Sequence, residues 1–228
     1  MNQPHTILKA DKISKYYNEQ GPICVLKDIS LEIKQGETIA ILGPSGIGKS
    51  TLLNILGTLE KPTTGSLEIA GNNLSEGNLA NIRNKHIGFI FQSYHLLEEY
   101  TSLENVLMPA KIGRQPLSPN SPSFKRATML LEKVGMTPRS HFLTKLLSGG
   151  EKQRIAIARA LCNDPSIILA DEPTGNLDEH NSHLIHHLLI DCAKEFNKTL
   201  IVVTHNQDLA KLCNKRFLLK EGVLESME

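Results

Sequence analysis

The sequence predicts an α/β fold, and three observations carry that prediction. First, an apolar run over residues 38–42 leads into Gly43-Pro44-Ser45-Gly46-Ile47-Gly48-Lys49-Ser50-Thr51, and an amphipathic run over residues 52–59 leads out. The pattern G-x-x-x-x-G-K-S between a strand and a helix is a phosphate-binding loop. Its glycines admit positive φ and close approach to an anion. Successive N–H groups form a concave nest, and the helix adds the positive end of its dipole. Lys49 supplies a point charge for β- and γ-phosphates, and Ser50 offers a hydroxyl to Mg²⁺. Second, residues 167–170 and 199–203 are apolar runs that read as buried strands, ending in Asp171-Glu172 and Thr204-His205. Third, residues 7–13 and 25–33 alternate as strands ahead of the loop.

The remaining elements follow in order. Tyr16 and Tyr17 follow the first strand; a tyrosine there either stacks on a base or packs at the strand end. Gln35-Gly36-Glu37 turns the second strand toward the third. Residues 61–65 form a turn, residues 66–69 a short strand, and Gly71-Asn72-Asn73 turns again. Residues 87–91 form a short apolar run ending at Gln92. Residues 96–111 have helical spacing, with a start signal at Thr101 or Ser102 followed by Glu104. Residues 113–123 hold three prolines and three serines, the composition of a flexible surface loop. Residues 124–134 form an amphipathic helix stopped by Gly135 and Pro138.

Leu147-Ser148-Gly149-Gly150-Glu151 opens the strongest helix, which continues through Lys152-Gln153-Arg154 to about Leu161. Ser148 with Glu151 is a capping box, and two glycines at a helix start also leave amides for an anion. Asn163-Asp164-Pro165 is a turn. Asp171 and Glu172 stand at a strand's C-terminal end, where open α/β sheets place ligands. There Asp171 holds Mg²⁺ through water, and Glu172 orients or deprotonates an attacking water. Asp178 caps a helix over residues 182–196. His205, at the end of a neighbouring strand, either reaches a γ-phosphate or is structural. His180, His183, His186 and His187 read as exposed helix-face histidines, since no acidic zinc partner follows them. Residues 217–223 form a terminal hairpin turned at Glu221-Gly222.

The chain has 228 residues, 40 % of them hydrophobic and 21 % charged, which is ordinary for a globular protein. A net charge of +1 gives no basic field for nucleic acid or an anionic membrane. Cys24, Cys162, Cys192 and Cys213 form no CxxC pair, so reduced thiols with a packing role are expected. The first residues lack the order of a signal peptide, and no apolar run approaches a membrane span. A membrane role therefore has to come through a partner.

Together these motifs resemble those of ABC-type ATPase subunits, from about Ile7 to Leu224. The phosphate loop resembles Walker A, and residues 167–172 resemble Walker B with its glutamate. Leu147, Ser148, Gly149, Gly150, Glu151, Lys152 and Gln153 resemble the ABC signature. Gln92 matches the Q-loop, Asn176-Leu177-Asp178 the D-loop, His205 the switch histidine and Tyr17 the adenine-stacking aromatic. The resemblance implies a P-loop NTPase core, mainly parallel sheet with flanking helices, with an N-terminal antiparallel β subdomain and an α-helical subdomain. It divides one ATPase domain into 1–91 and 162–228 as core with β subdomain, and 92–161 as the helical subdomain.

The resemblance also implies a mechanism. ATP is the substrate, and Mg²⁺ is held by Ser50, Gln92 and, through water, Asp171. Glu172, His205 and Gln92 are catalytic. Two copies pack head to tail, so that Ser148, Gly149 and Gly150 of one contact the ATP on Walker A of the other. Integral membrane permease subunits at the cytoplasmic face of the inner membrane are the expected partners, and no nucleic acid is. Asp171 through Asp178 resemble the branch that holds lipoprotein-releasing, macrolide-export and cell-division ATPases, and Gly88 through Gln92, His95-Leu96-Leu97 and Leu103-Glu104-Asn105-Val106 are similar to the ATPases of lipoprotein-releasing (Lol) systems. Ser93-Tyr94 and the 113–123 loop depart from that pattern. Macrolide or peptide efflux and regulation of a cell-division scaffold share the same motifs and remain alternatives. A DNA-maintenance ATPase would need a long coiled coil, and a tandem translation ATPase a second motif set; the sequence has neither.

Overall fold

The computed structural model describes residues 5–17, 23–74 and 79–227. In chain order these form β1 (Thr6–Tyr17), β2 (Ile23–Lys34), β3 (Thr38–Leu42), α1 (Lys49–Leu56), β4 (Thr64–Ile69), β5 (Asn72–Asn73), α2 (Leu79–His86) and β6 (Ile87–Ile90). There follow α3 (Ser102–Ile112), α4 (Pro122–Lys133), α5 (Gly149–Leu161), β7 (Ile167–Asp171), α6 (Glu179–Glu195), β8 (Thr199–Thr204), α7 (Gln207–Lys211), β9 (Lys215–Lys220) and β10 (Val223–Met227).

The strands make two sheets. An antiparallel sheet has the order β2-β1-β4-β5, and a second sheet the order β10-β9-β3-β8-β7-β6. In the second, β9, β3, β8, β7 and β6 pair in parallel and β10 closes one edge antiparallel. The expected α/β architecture, with its N-terminal antiparallel β layer, is therefore present.

The apolar runs explain why this sheet is central. Successive side chains of a strand face opposite ways, so an all-apolar strand needs cover on both faces. Ala40 and Leu42, Ile168 and Ala170, and Leu200 and Val202 pack into a core with α3, α4, α5 and α6. Their neighbours Ile39, Ile41, Ile167, Leu169, Ile201 and Val203 pack on the opposite face, against α1 and the antiparallel sheet. Leu52, Leu53, Ile55 and Leu56 give α1 a buried face there. Each such side chain contributes about 1.5–3 kcal/mol of transfer free energy.

The register then sets the site. Leu42 of β3 pairs with Thr204 of β8, and Asp171 of β7 pairs with Val203. The C-terminal ends of three parallel strands finish at one edge, where the phosphate loop, the acidic pair and His205 emerge.

Some elements differ from expectation. The helix expected over 96–111 starts only at Ser102, because Thr101 accepts the Glu104 N–H and its own N–H reaches the Glu104 carboxylate, a completed capping box. The 113–123 stretch is packed: Leu117 lies against the core, Ser121 caps α4, and the buried Ser123 hydroxyl donates to Gln115 Oε1 at 2.6 Å. α6 begins at Glu179, three residues earlier than expected, because Asp178 accepts the Asn181 N–H at 2.9 Å. α2 and α7 were not expected. All four cysteines are free, as expected, but Cys24 is exposed rather than buried. No described helix is long and apolar enough to cross a membrane.

Candidate nucleotide site

β3 delivers the chain to Gly43, and two glycines bend the loop that follows. Gly46 and Gly48 have φ of 79° and 105°, left-handed values that side chains resist. Gly48 is the N-cap of α1 and provides no side-chain cap, and no acidic residue lies in the first turn. The amides there are thus left for an anion. Lys49 is buried, and its Nζ donates to the carbonyls of Gly43 (2.7 Å) and Pro44 (3.0 Å). The ammonium thereby stands over its own loop, 3.6 Å from Glu172 Oε1.

The acidic pair divides into two environments. Ser50 Oγ donates to Asp171 Oδ1 at 3.0 Å. Burial, with the neighbouring Glu172 charge adding to it, pushes the Asp171 carboxyl above the usual range, against the Ser50 hydrogen bond. Glu172 takes φ of 40°, an uncommon backbone state for a non-glycine residue. Its N–H donates to Val203 O (2.9 Å), which ties the turn to β8. Thr204 Oγ1 and the His205 N–H donate to Oε2 at 3.0 and 3.3 Å, and His205 Nδ1 lies 3.0 Å from Oε1. Both oxygens are therefore oriented before any substrate arrives.

Gln92 completes this edge from the end of β6. A cleft of 380 Å³ is lined by Val25, Ser45, Gly46, Gly48, Lys49, Ser50, Thr51, Gln92 and Glu172. Ser50, Asp171 and Gln92 offer hydroxyl, carboxylate and carboxamide oxygens, a hard donor set that fits Mg²⁺. Tyr17 does not line the cleft: its hydroxyl donates to Glu60 Oε1 at 2.6 Å, and Lys15 lies over its ring at 5.1 Å. Val25 takes the cleft wall instead.

The signature residues stand apart from this cleft. Ser148 caps α5, and Glu151 Oε2 accepts both the Ser148 N–H and its hydroxyl at 2.9 Å. Gly149 and Gly150 open the helix. A Cβ on Gly149 would lie 2.9 Å from the Tyr94 hydroxyl and 3.2 Å from Leu177 Cδ2, and one on Gly150 would lie 3.1 Å from Asn181 Oδ1. Close packing is thus a second reason for the glycines, beside exposed amides. Leu147 is buried, and Gln153 is fully buried with neither side-chain polar atom paired among the described residues. Asp178 is exposed at the start of α6.

Three functional contacts lay outside the sequence reading. In the sequence Thr204 is a strand end and Asn176 a member of the D-loop motif, yet Thr204 holds Glu172 and Asn176 pairs with Gln92. His186, expected on an exposed face, is 2 % exposed, with Nε2 2.9 Å from Thr174 Oγ1. Its place on the inner face of α6, beside Leu189 and Ile185, is the signal that would have found it. His183 and His187 stack at 5.9 Å on the exposed face. No described group of three His, Cys, Asp or Glu forms a metal cluster.

The chain is similar to proteins of known kind over nearly its whole length. It is 53 % identical over 218 residues to the lipoprotein-releasing system ATP-binding protein LolD of Protochlamydia amoebophila, covering 96 % of each chain. It is 47 % identical over 221 residues to LolD of Cytophaga hutchinsonii, covering 96 % of this chain and 98 % of the other. Among solved structures, the dimeric bacterial ABC transporter cassette MJ0796 superposes with a TM-score of 0.87 at 39 % identity, covering 97 % of this chain and 99 % of that one. A second MJ0796 structure, a dimeric post-hydrolysis state bound to ADP and Pi, has a TM-score of 0.85 at 38 % identity and the same coverage. The ABC transporter family profile matches residues 26–175. On the phosphate loop, the strand-end carboxylates and these matches together, the chain belongs to the ABC transporter family.

Proposed function

We propose that this chain is the ATP-hydrolysing subunit of an ABC transporter that releases lipoproteins from the inner membrane. The reading rests on one observation above the others: Glu172, oriented through both oxygens, stands at the phosphate loop on the edge where Thr204 and His205 emerge. The phosphates of ATP lie on the α1 amides, with Lys49 leaving its own loop carbonyls to meet the β- and γ-oxygens. Tyr17, which stands outside the phosphate cleft at the end of β1, serves the adenine beyond that cleft. Ser50, Gln92 and, through water, Asp171 hold Mg²⁺, which supplies charge neutralisation at the β- and γ-oxygens. Glu172 takes the proton of the attacking water, and His205 and Thr204 keep its carboxylate aimed.

Ser148, Gly149 and Gly150 present α5 amides to the nucleotide of a second copy, while Leu147, Glu151 and Gln153 hold the helix start in place. Asp178 faces the same junction. The dimeric MJ0796 cassettes support this arrangement. Residues 92–161 form the arm that carries the signature. A cleft of 430 Å³ between this arm and the core, lined by Leu59, Phe89, Met108, Ile112 and Arg159 among others, receives a cytoplasmic helix of the membrane permease. The subunit then works peripherally at the cytoplasmic face. Lipoprotein release is favoured over efflux or a division scaffold because relatives at 45–53 % identity carry that name.

Tagged Glu172→Gln protein, extracted gently from native membranes with ATP, tests the proposal. It should bind ATP, turn over at least about 100-fold more slowly, and bring down a permease with bound lipoprotein. Recovery of drug-efflux components or of wall-hydrolase scaffolds instead would overturn the cargo assignment. Undiminished turnover would remove Glu172 from its role.

A further inference from the structure

We infer that Asn176 is a positioning residue that aims the Gln92 carboxamide oxygen at the magnesium position; the inference rests on the Mg²⁺ role proposed above for Gln92. A glutamine side chain carries one acceptor atom and one donor atom on a freely turning amide. Only Oε1 ligates a cation. An unrestrained amide presents the wrong atom half of the time, and a nitrogen turned toward Mg²⁺ is repulsive.

The contacts around Gln92 remove that freedom. Gln92 Nε2 donates to Asn176 Oδ1 at 3.3 Å, and Asn176 Nδ2 donates to the Gln92 main-chain carbonyl at 3.0 Å. Asn176 thus grips both the side chain and the backbone of one residue, across 84 positions of sequence. The donated N–H fixes which end of the amide is spent, and Oε1 accepts no hydrogen bond from the described residues. Gln92 itself lines the cleft that Lys49, Ser50 and Glu172 share. The turn that carries Asn176 is pinned as well. The Gly175 N–H donates to Glu172 O at 3.0 Å, and the buried Thr174 hydroxyl meets His186. Gly175 is small for a reason visible here: a Cβ would lie 2.7 Å from Gln92 Nε2. Partners that orient a metal ligand through its other polar atom typically alter metal affinity by about 10–100-fold.

The test separates nucleotide affinity from its dependence on Mg²⁺. A fluorescent ATP analogue is titrated in EDTA and again in Mg²⁺, for the wild-type chain, Asn176→Ala, Gly175→Ala and Ser50→Ala. Asn176→Ala should bind as wild type in EDTA, which also reports that it is folded. It should lose roughly tenfold of the tightening that Mg²⁺ brings. Gly175→Ala should do the same, because the added methyl displaces only the flexible end of Gln92. Full Mg²⁺-dependent tightening in both variants would overturn the inference. If Ser50→Ala also keeps full tightening, the Mg²⁺ site itself is misplaced; if Ser50→Ala loses it while the other two keep it, only the role of Asn176 fails.

Discussion

At the scale of single residues, the site holds groups in states that favour chemistry over stability. Asp171 is the clearest case. Its carboxyl is pushed upward by burial and by Glu172, so the folded chain binds more protons than the unfolded chain between the ordinary and the raised value. Stability contributed by this group is therefore present at low pH and is lost as pH rises through that window. Once ionised, Asp171 is a destabilising residue until a cation meets it. Asp171→Asn keeps an acceptor for the Ser50 hydroxyl and removes the charge. It should raise the Tm of nucleotide-free protein, because the cost of the half-buried charge is removed, while ATP hydrolysis falls to background. A lower Tm in differential scanning calorimetry would contradict this account. Glu172, in a left-handed backbone state, belongs to the same pattern of strain kept at a functional position.

At the scale of elements, helix starts carry much of the design. α3, α4, α5, α6 and α7 each begin on a side-chain cap from Thr101, Ser121, Ser148, Asp178 or Asn206, whereas α1 begins on Gly48 with none. α1, left without a side-chain cap, is a helix whose amides face the phosphate cleft. Ser148→Ala should cost about 1 kcal/mol of stability through the lost cap, read as a Tm lower by about 2–4 °C. Ser148→Thr should restore most of it. Hydrolysis should fall far more in the alanine variant than its small loss of stability accounts for, since in the proposed dimer the capped start of α5 presents its amides to the second nucleotide. Elements with contiguous signals were legible in the sequence: the phosphate loop, the capping boxes at Thr101 and Ser148, and the apolar strands. α2 and α7 were not. α2 buries only Ile82, and α7 is five residues long, so neither shows a helical period. The pairings Asn176–Gln92, Thr204–Glu172 and Arg159 with the carbonyls of Tyr94 and His95 were equally invisible, because sheet register and helix packing, not local sequence, bring them together. Arg159 shows what is missed: two consecutive left-handed residues, Tyr94 and His95, are held by one half-buried guanidinium.

At the scale of the whole molecule, the cleft beside Phe89 and Ile112 lies on a different part of the surface from the phosphate loop; the two share no lining residue. Ile112 is 68 % exposed, an apolar side chain on the cleft lined also by Leu59, Phe89 and Met108. Ile112→Glu should leave Tm unchanged, because nothing buried is disturbed, and should abolish co-fractionation with the membrane when lysates are separated by flotation. Retention of the variant in the membrane fraction would place the permease contact elsewhere. The capped start of α5 has a kinetic consequence. Its glycines line neither the phosphate cleft nor the cleft beside Phe89; in the proposed head-to-tail dimer, one copy of the chain carries two halves of different reaction centres and no complete one. Hydrolysis by the purified chain should then be second order in protein at low concentration: halving the dose should quarter the rate. Free subunits diluted in a cell would spend almost no ATP, and consumption would begin only where a scaffold holds two copies face to face.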